Sequence, residues 1–176
     1  MPKTKTLVAY YSRAGQNYVS GAIEDLPQGN ASVLAGFAAA ATGGDLFEIE
    51  TVKRYPADYY ACTDEAQAEK RANARLELSA HVEGMDAYDT VVLIYPNWWG
   101  TMPMVFFTLL GKYPLAGKTI VPFTTHGGSG FGDSLRDLKR LCPKAKILQG
   151  LEVRGTAAHS SEDRVSSWLK KLGFVL

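Results

Sequence analysis

Five short runs of apolar residues mark the chain, and each has the length of a β-strand. Three of them are continuous and rich in β-branched and aromatic residues, which is typical of central strands buried on both faces of a parallel sheet. The second run alternates apolar and polar residues, as an edge strand does, and the fifth run gives a weaker strand pattern. The predicted strands are Thr6–Tyr11, Asp45–Glu50, Thr90–Tyr95, Thr119–Thr124 and Lys146–Val153.

Segments with helical spacing of apolar or alanine residues separate these runs. Alternation of strands and helices predicts an α/β fold, with helices packed on both faces of a parallel sheet. Pro122 has no N–H to give to a neighbouring strand, so it predicts an irregularity in the fourth strand. The predicted helices are Asn30–Ala41, Asp64–Leu78, Met104–Leu110, Asp133–Leu141 and Ser161–Leu172, the last with Ser160 or Ser161 as its N-cap.

Two connections are longer than usual for a compact domain. One covers residues 13–29, between the first strand and its helix, and the other covers residues 51–84. Long connections of this kind often carry function.

Length and charge narrow the classes of protein that the sequence allows. The chain has 176 residues, which predicts a single domain over residues 1–176. Nineteen Lys and Arg stand against 18 Asp and Glu, giving a net charge of +1, so a nucleic-acid partner is not expected.

No apolar run reaches the length of a membrane helix, and no secretory signal is recognisable. Cys62 and Cys142 form no CxxC motif and have no His cluster nearby, so we expect a cytoplasmic protein without a metal site.

Ligands of open parallel sheets bind beyond the carboxyl ends of the strands, which directs attention to three loops. The loop after the first strand offers the Ser12 hydroxyl, and the helix that opens at residues 29–32 offers free N–H groups, both suited to a phosphate. On its own this pattern would more often be a turn followed by an N-cap. The loop after the third strand holds Trp98 and Trp99, and we expect at least one of these adjacent side chains to border a flat aromatic ligand.

The loop after the fourth strand contains four glycines between residues 127 and 132. Their spacing is not that of the dinucleotide motif GxGxxG, so a dinucleotide site is not supported. His126 precedes them, and a single histidine in such a place is more often a hydrogen-bonded structural residue than an acid or base.

These stretches together resemble the flavodoxin family, in particular its longer bacterial members. The tryptophan and His-Gly-Gly segments are specific in combination, and the resemblance extends over nearly the whole chain. The matching stretches begin at Tyr10, Gly29, Gly44, Tyr55, Tyr88, Tyr95, Gly117 and Thr125.

The resemblance implies a doubly wound five-stranded parallel sheet in the order 2-1-3-4-5 and a noncovalently bound FMN. It implies no catalytic side chain and allows the peptide at Gly100 to change orientation with the redox state of the flavin. The implied cofactor-binding residues are Ser12, Arg13, Asn17, Asn30, Ala31, Ser32, Pro96, Asn97, Trp98, Trp99, Gly100, Thr101, Thr125, His126, Gly127, Gly128, Ser129 and Gly130.

Two departures from the family pattern stand out. Ala31 occupies a place where a threonine hydroxyl is usual, which removes one donor to the phosphate. The near-neutral charge also differs from the strong acidity of electron-carrying flavodoxins, so electrostatic steering toward basic redox partners would be weak.

Two functions therefore remain open at this point. One is an electron-transfer flavoprotein that serves redox partner proteins, and the other is an FMN-dependent NAD(P)H:quinone or small-acceptor reductase. A phospho-accepting receiver domain is rejected, because Pro96-Asn97 and Ser12-Arg13 stand where acidic residues would be needed. A serine hydrolase is also unsupported, because the residues around Ser129 lack the nucleophile-elbow spacing.

Overall fold

The computed structural model describes residues 5–174 and contains two sheets. All pairings in the larger sheet are parallel, and the smaller sheet is an antiparallel hairpin. The strands are β1 (Thr6–Tyr10), β2 (Gly15–Val19), β3 (Ala22–Leu26), β4 (Asp45–Glu48), β5 (Thr90–Pro96), β6 (Thr119–His126), β7 (Lys146–Ile147) and β8 (Leu151–Arg154). The α-helices are α1 (Asn30–Thr42), α2 (Tyr59–Arg71), α3 (Val105–Lys112), α4 (Ser134–Leu141) and α5 (Glu162–Lys171).

The larger sheet has the order β4-β1-β5-β6, followed by β7 and β8 side by side along the outer edge of β6. Counting β7 and β8 as two parts of one fifth strand, this is the order 2-1-3-4-5. The predicted α/β fold, its parallel sheet and its topology are confirmed.

The interruption of the fifth strand lies opposite Pro122. β7 pairs with Thr119 and Ile120, whereas β8 resumes the pairing at Phe123. A proline has no N–H for the ladder, and a side chain at Gly150 would lie 2.4 Å from the Pro122 carbonyl oxygen. The prediction of an irregular fourth strand is therefore wrong: β6 is continuous from Thr119 to His126, and the neighbouring fifth strand is the one that is divided.

Each face of the sheet carries its own apolar core. On one face the alanine-rich side of α1 packs with α5 against alternate residues of β1, β5 and β6. On the other face α3, α4 and the irregular segment 76–88 cover the remaining residues of the same strands. Tyr95, Phe106 and Phe123 are among the largest side chains that are fully buried.

Helix α2 begins at Tyr59, and the prediction of Asp64–Leu78 is wrong at both ends. Asp58 is the N-cap and accepts a hydrogen bond from the Ala61 N–H at 2.8 Å, which fixes the start of the helix. The chain after Arg71 turns through Asn73, whose φ is +49°, and so leaves the helical path. α2 contributes to neither sheet core and packs instead against the hairpin.

The hairpin β2–β3 occupies the long connection after β1, where no strand was predicted. Its turn is formed by Ser20 and Gly21, with φ values of +47° and +93°.

Within residues 5–174, no helix is both long and apolar enough to cross a membrane.

Candidate functional site

The principal cleft opens where β1 and β5 end side by side in the sheet. The chain leaves β1 toward α1 on one face and leaves β5 toward α3 on the other, which makes this the topological switch point of the sheet. The cleft has a volume of about 570 Å³ and is bounded by the hairpin, by α2 and by the loop after β5. Its lining residues are Arg13, Asn17, Tyr18, Tyr59, Tyr60, Cys62, Thr63, Asp64, Ala66, Asn97, Trp98 and Trp99.

The start of α1 lies directly beside Ser12. Ser12 Oγ accepts a hydrogen bond from the Ser32 N–H at 3.0 Å and so caps the first turn of α1 from outside the helix, because the N-cap residue Gly29 has no side chain to do so. A Cβ at Gly29 would lie 2.1 Å from Ser12 Oγ and 2.7 Å from the Arg13 carbonyl oxygen, so only glycine allows this approach. The first turn contains no acidic residue. Ser12, Asn30, Ala31 and Ser32 are thus brought together, and the N–H groups at the start of the helix favour an anion, although Glu48 and Glu50 share a neighbouring pocket with Ser12.

Arg13 and Asn17 brace the chain around the cleft. The Arg13 guanidinium donates to the carbonyl oxygens of Pro56 at 3.0 Å and Ala57 at 2.9 Å, just before α2. Asn17 Nδ2 donates to the carbonyl oxygens of Arg13 at 2.9 Å and Gly15 at 3.1 Å. Both residues line the cleft, but their polar groups are engaged with backbone carbonyls rather than directed at the start of α1.

The two tryptophans have different environments. Trp98 is half-buried and packs edge-to-face against Tyr11 and Tyr55, with ring centroids 5.3 and 5.1 Å away. Trp99 has a φ of +53° and remains 45% exposed. Its indole N–H donates to the Thr63 carbonyl oxygen at 2.8 Å, and its own carbonyl oxygen accepts from Lys70 Nζ. Both side chains line the cleft, but they point to different neighbours.

The turn after β5 is held by its own hydrogen bonds. Asn97 Oδ1 accepts from the Gly100 N–H at 2.9 Å, and the Gly100 carbonyl oxygen accepts from the Asp133 N–H at 2.6 Å. Thr101 Oγ1 donates to Asp137 Oδ2 at 2.6 Å. Reorientation of a peptide at Gly100 would have to break at least one of these bonds, so the freedom expected of this glycine is restricted.

The glycine-rich loop after β6 lies against the loop after β5. Asn97 Nδ2 donates to the Gly130 carbonyl oxygen at 2.8 Å, and the Asn97 N–H donates to the Thr125 carbonyl oxygen at 2.8 Å. The pairing of Pro96 with Thr125 in the sheet aligns the two ends. Gly127, Gly128 and Ser129 form the exposed part of this loop.

His126 supports that loop from within. Its imidazole is only 5% exposed, and its Nδ1 accepts from the Gly128 N–H at 2.9 Å. Burial lowers the pKa of His126, an effect that the nearby Glu152 carboxylate opposes. The ring is therefore a neutral acceptor at pH 7, consistent with the structural role that its sequence context favours.

Several lining residues were not predicted from the sequence. Tyr18 comes from the hairpin, and Tyr59 and Tyr60 come from the first turn of α2. Arg154, at the end of β8, lines a smaller pocket with Asn30, His126 and Gly127 beside the start of α1. Applied to the second and fifth strands as well, the carboxyl-end rule would have indicated the segments of Tyr59, Tyr60 and Arg154, whereas Tyr18 lies in the connection after the first strand.

The sequence matches the flavodoxin family model over residues 5–172. The chain belongs to the flavodoxin family. This flavodoxin-like flavoprotein is similar to a candidate flavoprotein of Bacteroides eggerthii, with 28% identity, a TM-score of 0.77, and coverage of 96% of this chain and 97% of the other.

Two further structures have the same fold. A candidate flavoprotein of Bacteroides uniformis shares 26% identity over 95% of this chain and 98% of its own, with a TM-score of 0.75. A flavoprotein of Lactobacillus acidophilus in complex with FMN shares 20% identity over 93% and 99%, with a TM-score of 0.66. A search among curated proteins gave no match.

Proposed function

We propose that this flavodoxin-family chain binds one FMN noncovalently and transfers electrons through it. The observation that carries the proposal is the juxtaposition of two features at the switch point of the sheet: Ser12 bonded to the first turn of α1, and an aromatic cleft. The flavoprotein of Lactobacillus acidophilus, which shares the fold, contains FMN.

The start of α1 fits a phosphate dianion. The first-turn N–H groups that precede Ser32, the positive end of the helix dipole and the O–H of Ser12, whose oxygen already accepts from the Ser32 N–H, all favour negative charge there. Asn30 and Arg154 line the adjoining pocket, so a cation can approach the same region. These residues would compensate for the hydroxyl that Ala31 lacks.

The cleft fits a fused aromatic ring. Its volume of about 570 Å³ lies within the usual range of about 300–1,000 Å³ for small-ligand sites. Five of its lining residues are aromatic, and Asn97 presents an amide at the junction with the glycine-rich loop. The ring would lie beyond the end of β5, with the peptide groups of residues 97–101 and 125–130 beside its polar edge.

The bound FMN would supply the redox chemistry, and the protein would supply orientation and a controlled environment. The half-buried Trp98 lines the cleft and packs on the buried Tyr11, which gives that wall an apolar backing. Burial raises the pKa of Tyr11, and burial together with the bond to Glu69 raises that of Tyr55, so both phenols keep their protons at neutral pH. No side chain has to act as a catalytic acid or base.

Reduction of a small acceptor, such as a quinone, with electrons from NAD(P)H is the second candidate function. The observation that favours it is the open cleft whose exposed rim is aromatic, together with the near-neutral charge of the chain. An electron carrier for basic partner proteins would be expected to carry a strongly acidic surface instead. NAD(P)H oxidation by the loaded protein, measured with and without a quinone, separates the two.

Titration of the purified protein with FMN and with riboflavin tests the proposal. FMN should bind with quenched fluorescence and shifted absorbance bands. In Ser12→Ala, FMN affinity should fall by roughly 1–3 kcal/mol, as expected for loss of a hydrogen bond to a charged group, while riboflavin affinity changes far less. Ser166→Ala, on the exposed side of α5, is the matched control. Equal weakening of both ligands would place Ser12 away from the phosphate, and failure of the folded protein to bind FMN would overturn the proposal.

A further inference from the structure

A second concave site lies at the outer edge of the larger sheet and shares no lining residue with the cleft. It is open between α4 and residues 147–150, at the break in the fifth strand, and we call it the edge groove. Its volume of about 390 Å³ lies within the usual range of about 300–1,000 Å³ for small-ligand sites. The groove is therefore large enough to hold a molecule of its own.

The break in the fifth strand shapes this groove. The Leu148 N–H still donates to the Ile120 carbonyl oxygen at 2.9 Å, but ladder pairing resumes only with β8. A Cβ at Gly150 would lie 2.7 Å from Phe131 Cζ, so the Phe131 ring packs directly on this glycine. The Gln149 carbonyl oxygen accepts from the indole N–H of α5 at 3.2 Å, which holds the same segment from the other side. The groove is thus bounded by chain that has fixed contacts.

The apolar side chains of the edge groove are incompletely covered. Phe131, Leu135, Ile147 and Leu148 line it, and all four are half-buried. None of them is among the large hydrophobic residues that are exposed in the described chain. Their apolar surface therefore faces the groove rather than protruding from the molecule. An occupant has to bring an apolar part of its own into the concavity.

One cation of the groove has no carboxylate partner. Lys139 is exposed and follows Leu135 by four residues, so the two side chains share one side of α4. Arg136 and Arg140 are paired with acidic residues, whereas Lys139 forms no ion pair within residues 5–174. The exposed Gln149 amide lines the same groove and can donate a hydrogen bond. An ammonium and an amide beside an apolar wall favour an occupant with one anionic group.

The charge around the groove strengthens this preference. Residues 134–148 contain five Lys and Arg and one carboxylate, although the whole chain has a net charge of only +1. An excess of one sign at a concave site raises the local concentration of oppositely charged ligands. A bilayer surface fits less well, because none of the large apolar side chains that are exposed in the described chain lines this groove to insert into it.

We propose that the edge groove binds an aliphatic carboxylate, with its chain against Phe131 and Leu135 and its carboxylate at Lys139. The occupant is a free amphipathic anion of the fatty-acid class rather than a lipid held in a membrane. The inference goes beyond the proposed function and does not depend on it, because the groove and the cleft are lined by different residues.

Calorimetric titration with sodium decanoate, in the presence of excess FMN so that the cleft is filled, provides the test. Acetate has the carboxylate without the chain, and decyltrimethylammonium has the chain with the opposite charge. The variants are Lys139→Gln, Lys139→Arg and Leu135→Glu, and Lys170→Gln, on the exposed side of α5, is the matched control. Amide chemical shifts locate the site, and thermal denaturation establishes that each variant is folded.

We expect decanoate to bind the wild-type protein and to shift the amides of residues 147–150, while neither control ligand binds. Lys139→Gln should weaken binding about three- to tenfold, and Lys139→Arg and Lys170→Gln should keep it. Leu135→Glu should abolish binding, because it places a carboxylate against the ligand. If that variant does not fold, the two Lys139 variants decide the matter.

Absence of binding, equal binding of either control ligand, or unchanged affinity in Lys139→Gln would each overturn the inference. Chemical shift changes confined to the cleft, or stable binding of the protein to phosphatidylglycerol vesicles, would overturn it as well. Failure of FMN to bind would instead overturn the proposed function and leave this inference standing.

Discussion

Two groups of aromatic side chains lie at the cleft and beside it, and they differ in how deeply they are buried; of the first group only Trp98 lines the cleft. The inner aromatic group, Tyr11, Tyr55 and Trp98, packs edge-to-face within itself at centroid distances of 5.1–6.4 Å and rests on the core of the sheet. The outer aromatic group, Tyr18, Tyr59, Tyr60 and Trp99, lines the cleft and includes three side chains that are 45–65% exposed. Adjacent residues of one sequence motif, Trp98 and Trp99, belong to different groups. The aromatic content of a motif therefore does not say which ring is structural and which is free to meet a ligand.

Replacing each tryptophan in turn tests this division most strongly. Trp98→Ala removes a half-buried side chain from the inner aromatic group and should lower the free energy of unfolding by about 2–3 kcal/mol, somewhat less than a fully buried tryptophan would. Trp99→Ala should lower it by less than about 1 kcal/mol, because it loses mainly one exposed hydrogen bond. Urea denaturation of the cofactor-free proteins measures both. Similar losses in the two variants would remove the distinction between the groups.

The tyrosine hydroxyl groups also differ between the inner and the outer aromatic group. Tyr55 donates to Glu69 Oε2 at 2.5 Å, and this bond is partly buried. Tyr55→Phe would leave that carboxylate without its donor and should reduce stability by about 1–2 kcal/mol. Tyr60→Phe, on a side chain that is 65% exposed, should have almost no effect. Chemical denaturation of the two variants checks this, and a loss in Tyr60→Phe equal to that in Tyr55→Phe would contradict it.

The sequence predicted the strands of the larger sheet well because their apolar runs are continuous, as in Thr90–Tyr95. It did not predict the hairpin, because β2 and β3 lie outside the core and have no buried face to impose alternation. It also placed the start of α2 too late, since the N-cap bond of Asp58 is a local feature that helical periodicity does not reveal.

The candidate site was predictable to a similar extent. The loops after β1, β5 and β6 follow from strand order, and the structure brings Ser12 to the start of α1 as expected. Tyr18, Tyr59 and Tyr60 were missed because their place at the cleft depends on the hairpin and on α2. Which tryptophan stays exposed depends on the φ of Trp99, which no residue pattern specifies.

Gly100 follows Trp99 in the turn after β5 and also has a positive φ. Replacing it should cost less stability than the Trp98 and Tyr55 replacements above. Its φ is +82°, while a Cβ there would meet nothing within 4 Å, so Gly100→Ala adds strain without a clash. We expect a loss of about 1 kcal/mol in stability. Gly111→Ala, in α3 with equally open space, should instead stabilise the protein by about 0.5–1 kcal/mol. Thermal denaturation compares them, and equal behaviour would mean that the turn after Trp99 relaxes freely.

The smallest effect concerns the pH dependence of the inner aromatic group. Burial raises the pKa of Glu69, an effect that the Tyr55 hydroxyl and Lys53 oppose and Glu65 reinforces. A carboxyl whose pKa is higher in the folded than in the unfolded state makes the folded state bind more protons, so its contribution to stability falls as pH rises above about 4.5. Glu69→Gln keeps an acceptor for Tyr55 and removes the titration. Unfolding measured at pH 4 and pH 7 should therefore show the variant gaining stability relative to the wild type at the higher pH. A difference that stays constant, or grows toward pH 4, would show that this carboxylate is solvated, and that the inner aromatic group is less closed than its packing indicates.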